Sequence, residues 1–238
     1  MSKKIKERYQ LIDALRGLSI LLMCAHHFGY TCIYFGYEIG EISNYPFIRY
    51  FLSPLFAGVF ILLSGMSSRF SRSNIKRGLI TLIFAALVTA VSYFFGVTIY
   101  FGILHFLGLS MLIYGLISKW LNKISLFPLI AVFSVLFVFS FAFLPIYTAD
   151  NNIFLWFGFL KSGTPMDDYF PFGRWFALFL LGTQLGQLVI DNKFPRWFYS
   201  FKMPFLPAVG RRTLIIFLLH QPFFYLILTI YSNIIKPS

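Results

Sequence analysis

Long apolar runs recur along the whole chain, each broken by a short stretch carrying charge, glycine or proline. A helix rises 1.5 Å per residue, so about 20 apolar residues cross a hydrocarbon layer of about 30 Å. Runs of that order fall at residues 11–32, 47–68, 78–95, 98–118, 124–147, 172–190 and 213–234. This pattern predicts an all-α fold, a polytopic membrane bundle of about seven transmembrane helices forming one domain over residues 1–238. The longest connection, residues 148–171, contains NIFLWFGFL (residues 152–160), which is too short to span and is expected to lie at the interface or dip inward.

Composition agrees. The 238 residues are 58% hydrophobic and only 12% charged, and the mean hydropathy is +0.77, which excludes an ordinary soluble domain. The formal net charge of +12 raises the question of a nucleic-acid partner. The positions of the twenty Lys and Arg residues answer it. With the amino terminus inside, Lys3, Lys4, Lys6, Arg8, Arg16, Arg69, Arg72, Lys76, Arg77, Lys119, Lys123, Lys193, Arg196, Lys202, Arg211 and Arg212 are all cytoplasmic; only Arg49, Lys161, Arg174 and Lys236 fall outside. The basic charge therefore encodes topology in contact with membrane lipids, and no nucleic-acid partner is expected. The reading places the chain in a cell membrane with a cytoplasmic N-terminus and an extracytoplasmic C-terminus. Asp13 and Arg16 interrupt the first run and no small-residue cleavage site follows, so it is read as an uncleaved span.

That first span carries Asp13 and Arg16 at its start and His26 and His27 towards its end. Unpaired, such groups cost several kcal/mol each in hydrocarbon. Helical rise assigns depths. His27 lies about 22 Å above Ile12, and His105, about 7 Å inside the outer edge of the fourth span, comes out level with it. Asp168 and Arg174 flank the outer entry of the sixth span, and His220 and Gln221 lie about 12 Å into the last one. Together these residues outline a polar column across the bilayer, provided the helices turn them to a common interior.

Each has a structural alternative. Asp13 suits a helix N-cap, with Arg16 pairing to it or snorkelling. His26 suits a hydrogen bond to a neighbouring helix, and His220 with Gln221 a bond to the Leu218 carbonyl that Pro222 leaves free. Asp168 and Arg174 suit a surface ion pair, and Ser64, Gly65, Ser68, Gly182 and Gly186 suit close helix packing.

Five segments resemble, in order, the heparan-alpha-glucosaminide N-acetyltransferase catalytic-domain family, which includes many bacterial proteins. They are IDALRGLSILLMCAHHF (residues 12–28), FILLSGMSSRFSR (60–72), FGILHFLGLSMLI (101–113), DYFPFGRWFALFLLG (168–182) and VGRRTLIIFLLHQP (209–222). The resemblance implies a membrane enzyme that takes an acetyl group from cytoplasmic acetyl-CoA and passes it to an amine, typically of a glucosamine unit, on the far side. It also implies a catalytic histidine, and His27 is the one followed by Phe at the family's position.

The residues support such chemistry. Acyl transfer to an amine needs a base for the amine proton or a nucleophile to carry the acyl group, and an imidazole, titrating ordinarily near 6.5, serves either way. His105 is expected to orient His27 or to donate to the developing oxyanion, and Asp168 to hold one imidazole tautomer. Asp13, Arg16, Arg174, His220 and Gln221 are the candidate cofactor-binding residues along the column. Forked donors for the coenzyme phosphates come from Arg16, Arg69, Arg72, Arg77, Arg211 and Arg212. No metal is expected, since His26 and His27 point about 100° apart on a helix. The expected partners are acetyl-CoA and a glycan or amino-sugar acceptor, and a homodimer is one assembly the sequence allows. The rival readings are O-acylation of a cell-surface glycan, a permease whose polar column carries a solute or protons, and a non-catalytic scaffold.

Overall fold

A computed structural model describes residues 9–37, 47–143, 147–164 and 168–235. Lys3, Lys4, Lys6, Arg8 and Lys236 of the charge pattern lie outside the described residues. The elements run α1 (Gln10–Tyr34), a π-helical turn (Ile48–Leu52) leading into α2 (Ser53–Arg69), α3 (Asn74–Phe94), α4 (Ile103–Leu121) and α5 (Leu126–Phe143). There follow β1 (Tyr147–Ala149), β2 (Phe159–Lys161), α6 (Phe172–Ile190), α7 (Arg196–Ser200), α8 (Leu206–Gly210) and α9 (Thr213–Ile235). Of the described residues, 75% are helical.

Each apolar run contains a helix, but among the described residues only α1, α3, α4, α5 and α9 are long and apolar enough to cross a membrane. Two of the expected seven fall short for visible reasons. Helix α2 has 17 residues, and α6 is diluted by Arg174, Gln184 and Gln187. Boundaries also move. The fourth run begins its helix at Ile103 rather than at residue 98, because Gly102 is extended (φ −83°, ψ −176°) and acts as N-cap. The fifth ends at Phe143, and Tyr147, expected within the span, starts a strand. The fold is therefore not strictly all-α, since β1 and β2 pair in parallel with Tyr147 opposite Phe159 and Ala149 opposite Lys161.

Local chemistry sets the ends. Ser73 caps α3, its Oγ accepting from Lys76 N at 3.3 Å. Helix α1 closes with Tyr37 N bonded to Cys32 O (3.0 Å) and Gly36 N to Ile33 O (2.9 Å), and α3 closes the same way through Gly96. Gly36 and Gly96 hold φ of 75° and 73°, a conformation that only glycine adopts without strain. Asn192 (φ 55°) plays their part after α6.

The chain divides into two compact units, residues 1–60 with 194–238, and residues 61–193. In the first, α1 packs on α8 and α9 at backbone contact. A Cβ on Gly17 would run into the Leu206 carbonyl, and one on Gly210 into the Asp13 carbonyl. In the second, α3 packs on α4 and α5 on α6. Gly78 of α3 faces the Gly108 carbonyl of α4, and Gly65 faces the Phe179 carbonyl beside Gly182. Ile61, Phe106, Phe179 and Val189 are fully buried there. The small residues Gly65, Gly182 and Gly186 are packing residues, as their sequence context allowed.

Candidate active site

The first unit joins α1 to α9 through three polar contacts in ascending order. Arg16 Nη2 donates to Thr213 Oγ1 at 3.1 Å. Eleven residues further along α1, a rise of about 16 Å, His27 Nδ1 lies 2.8 Å from His220 Nε2. One turn beyond that, Thr31 Oγ1 lies 3.1 Å from the Gln221 side-chain amide and donates to the His27 carbonyl at 2.8 Å. The rings of His27 and His220 are 5.0 Å apart, with Phe28 packed edge-on against Phe224 beside them. His220 is buried, 7% exposed.

The hydrogen bonds assign the protons of this pair. His220 Nδ1 is 2.6 Å from the Phe217 carbonyl, which can only accept, so His220 carries its proton on Nδ1. In the neutral pair His220 Nε2 is then an acceptor, and His27 donates to it from Nδ1. That leaves the lone pair of His27 on Nε2. An imidazole held in this tautomer, with its second nitrogen bare, is equipped to act as a base or a nucleophile there. The bond to Phe217 corrects one sequence reading: His220 uses that carbonyl, three residues back, rather than the Leu218 carbonyl left free by Pro222.

Asp13 is also placed differently from a cap. Tyr9 occupies the N-cap position of α1, and buried Asp13 sits within the first turn, its Oδ1 3.9 Å from Arg16 Nη1. Charge at this position favours the helix N-terminus without capping it.

The second unit holds the other predicted residues, in different roles. Asp168 Oδ2 accepts from Ile103 N at 3.0 Å, at the first turn of α4. His105 Nδ1 accepts from Gly102 N at 3.3 Å, so the ring proton lies on Nε2, which is 3.3 Å from Thr89 Oγ1; Thr89 in turn donates to Ile99 O at 2.6 Å. Both nitrogens of His105 are thereby used in holding the start of α4, with no lone pair left over. Within the first unit, the imidazole that bonds His27 is that of His220. The tautomer of His220 is held by the Phe217 carbonyl. Arg174 lies with its guanidinium carbon 4.2 Å from the centroid of the Phe141 ring.

Of the arginines expected to meet phosphates, Arg69 is largely taken up. Its Nε donates to Gln187 Oε1 (2.7 Å) and its Nη1 to Tyr114 Oη (3.1 Å) and to Asn122. Arg211 and Arg212 are exposed. Sequence reasoning passed over Thr31 and Thr213, whose hydroxyls face His27's turn and Arg16. For Thr31 a signal existed, since it lies one helical turn beyond His27 and so shares its face. Nothing in the sequence singled out Thr213, Tyr114 or Asn122.

Comparison with known proteins gives one positive result. The family model described as "Heparan-alpha-glucosaminide N-acetyltransferase, catalytic" matches residues 8–222. No curated protein and no solved structure matches the chain. The match takes in α1 through to Pro222 and so includes both His27 and His220. A multi-helix membrane architecture and a match of this extent agree with one another, and the chain belongs to the heparan-alpha-glucosaminide N-acetyltransferase catalytic family.

Proposed function

We propose that this chain is a seven-span acetyltransferase of the cell membrane. It moves the acetyl group of acetyl-CoA, entering from the cytoplasm, to an amine of an amino sugar or glycan on the far side. The observation that carries the reading is the bare Nε2 of His27, produced by the bond of its Nδ1 to His220. The family match supplies the class of reaction.

His27 Nε2 takes a proton from the acceptor nitrogen as that nitrogen bonds to the thioester carbonyl carbon. The C–S bond breaks, and the departing thiolate recovers the proton from His27, so the products are an amide and free CoA. The positive charge on the intermediate imidazolium is shared through the bond from His27 Nδ1 to His220 Nε2, while His220 keeps its own proton on Nδ1, donated to the Phe217 carbonyl. Thr31 and Gln221 brace the turn that carries His27. Asp13 and Arg16 lie about 21 and 16 Å below it along α1, a separation that suits the long pantetheine arm of the coenzyme. Asp168 and His105 shape the start of α4, and Arg174 stacks on Phe141 near the start of α6. The alternative route, in which Nε2 itself carries the acetyl group, uses the same lone pair. It is distinguished by label that appears on the protein when labelled acetyl-CoA is supplied without acceptor and that hydroxylamine releases.

The test is acetyl transfer from labelled acetyl-CoA to glucosamine in membranes containing the wild type or His27→Ala. The variant is expected to lose about 10²- to 10⁴-fold in rate, the usual worth of a positioned proton-transfer group. Full activity in the variant removes His27 from the mechanism. A product that survives mild alkali is the expected amide; a labile one identifies O-acylation instead.

A further inference from the structure

Residues 147–164 lie between α5 and α6, and hydrogen bonds fix their depth. Ser140, in the last turn of α5, donates to the Arg174 carbonyl in the first turn of α6 at 2.9 Å, so the two helix ends are level. The free N–H groups at the start of α6, on Phe172 and Gly173, donate to the Trp156 carbonyl (2.8 Å) and the Phe157 carbonyl (3.1 Å). The loop is thereby pinned to that level. Since α5 is long and apolar enough to cross a membrane, its end marks a membrane surface.

Much of the loop's backbone hydrogen bonding is internal. Leu155, Phe157, Gly158 and Phe159 donate to the carbonyls of Asn152 and Phe154. Strand β1 pairs with β2, Lys161 N donates to Asn152 Oδ1 at 2.8 Å, and Tyr169 Oη donates to the Leu155 carbonyl at 2.7 Å. Its side chains do the opposite of what a water-exposed loop requires. Ile153 and Phe154 are 70% and 58% exposed, and Trp156, Phe157 and Phe159 are also exposed, with Phe157 and Phe159 stacked. The charged and amide groups, Asp150, Asn151 and Lys161, stand at the two flanks. This apolar exterior continues that of α5, whose Val135, Val138, Phe139 and Phe143 are exposed up to the end of the helix.

We propose that residues 153–160 are an interfacial anchor, seated at the boundary of lipid headgroups and acyl chains beside α5 and α6. A backbone bonded largely within itself, carrying aromatic side chains outward at the level of a membrane surface, fits that boundary. The anchor holds the starts of α4 and α6 at fixed depth, because Trp156 and Phe157 bond to α6 while Phe170 N bonds to the Phe101 carbonyl at 3.0 Å. It does not depend on the acyl-transfer reading.

The test is tryptophan emission of the full chain in lipid nanodiscs, taken as the difference between wild type and Trp156→Phe. The discs contain phosphatidylcholine brominated either near the top of the acyl chain or near its end, and acrylamide serves as the aqueous quencher. The expected Trp156 component is blue-shifted from a water-exposed indole and loses more intensity to the shallow bromine than to the deep one or to acrylamide. Because Trp156 also packs on Phe172, a second reporter, Phe154→Trp in the Trp156→Phe background, is expected to behave the same way. Quenching of both reporters mainly by acrylamide, or mainly by the deep bromine, overturns the proposal.

Discussion

The two nitrogens of the His27 ring differ because a carbonyl two partners away can only accept a proton. Phe217 orders His220, His220 orders His27, and the lone pair emerges on Nε2. This relay predicts a ranking of variants at position 220. His220→Gln keeps a side-chain acceptor for His27 Nδ1 and is expected to retain more acetyl transfer than His220→Leu, which offers none; equal rates in the two would show that the tautomer is set elsewhere. Asp168 allows a different measurement. Its carboxylate satisfies a free N–H at the start of α4, so Asp168→Ala is expected to cost about 1 kcal/mol, the usual worth of a helix-start side-chain acceptor. Thermal unfolding of the detergent-purified protein reads it, and an unchanged midpoint counts against the role. Tyr169 also bears on this region: partial burial pushes its phenol up to about 12, so it remains a donor to the Leu155 carbonyl throughout the physiological range.

Among the elements, α1 and α8 are held by contacts that leave no room for a side chain. Glycine at 17 and 210 lets the two backbones touch at the Leu206 and Asp13 carbonyls, and a carbonyl cannot swing aside as the end of a long side chain can. Gly17→Ala is therefore expected to lower stability by about 1–3 kcal/mol, the typical cost of overpacking. A comparable loss is not expected for Gly29→Ala, a position on the same α1 helix with open space around its would-be Cβ. Comparing the two by thermal unfolding separates close packing from the general effect of altering a glycine in α1. The α1–α9 contact behaves differently, being polar at three levels. There the energy lies in hydrogen bonds within a low-dielectric setting, where leaving one partner alone costs more than the pair gains.

For the whole molecule, the question is whether α2 and α6 cross the membrane. With seven spans the α2–α3 turn at Arg72 is cytoplasmic, whereas if only α1, α3, α4, α5 and α9 crossed, the same turn, flanked by Arg69, Lys76 and Arg77, would lie outside while Lys3, Lys4, Lys6 and Arg8 stayed inside. Arg72→Cys in a Cys24→Ala, Cys32→Ala background is expected to react with an impermeant maleimide only when the cytoplasmic face is opened. Labelling of intact cells would select the five-span arrangement.

Much of this architecture was legible along the chain. Apolar runs of membrane length are a local property, and so is the distribution of Lys and Arg. The positions that shifted, at Gly102 and Phe143, are those where a distant partner intervenes: Asp168 at the start of α4, and the strand pairing after α5. Depth alone matched His27 with His105, because helical rise reports height and says nothing of azimuth. The sequence by itself determined that this is a helical membrane protein of its family, with a histidine deep in the first helix. Only the tertiary structure decided that His220 meets that histidine, since the two are 193 residues apart and join through the rotation of α1 against α9, which no local pattern encodes.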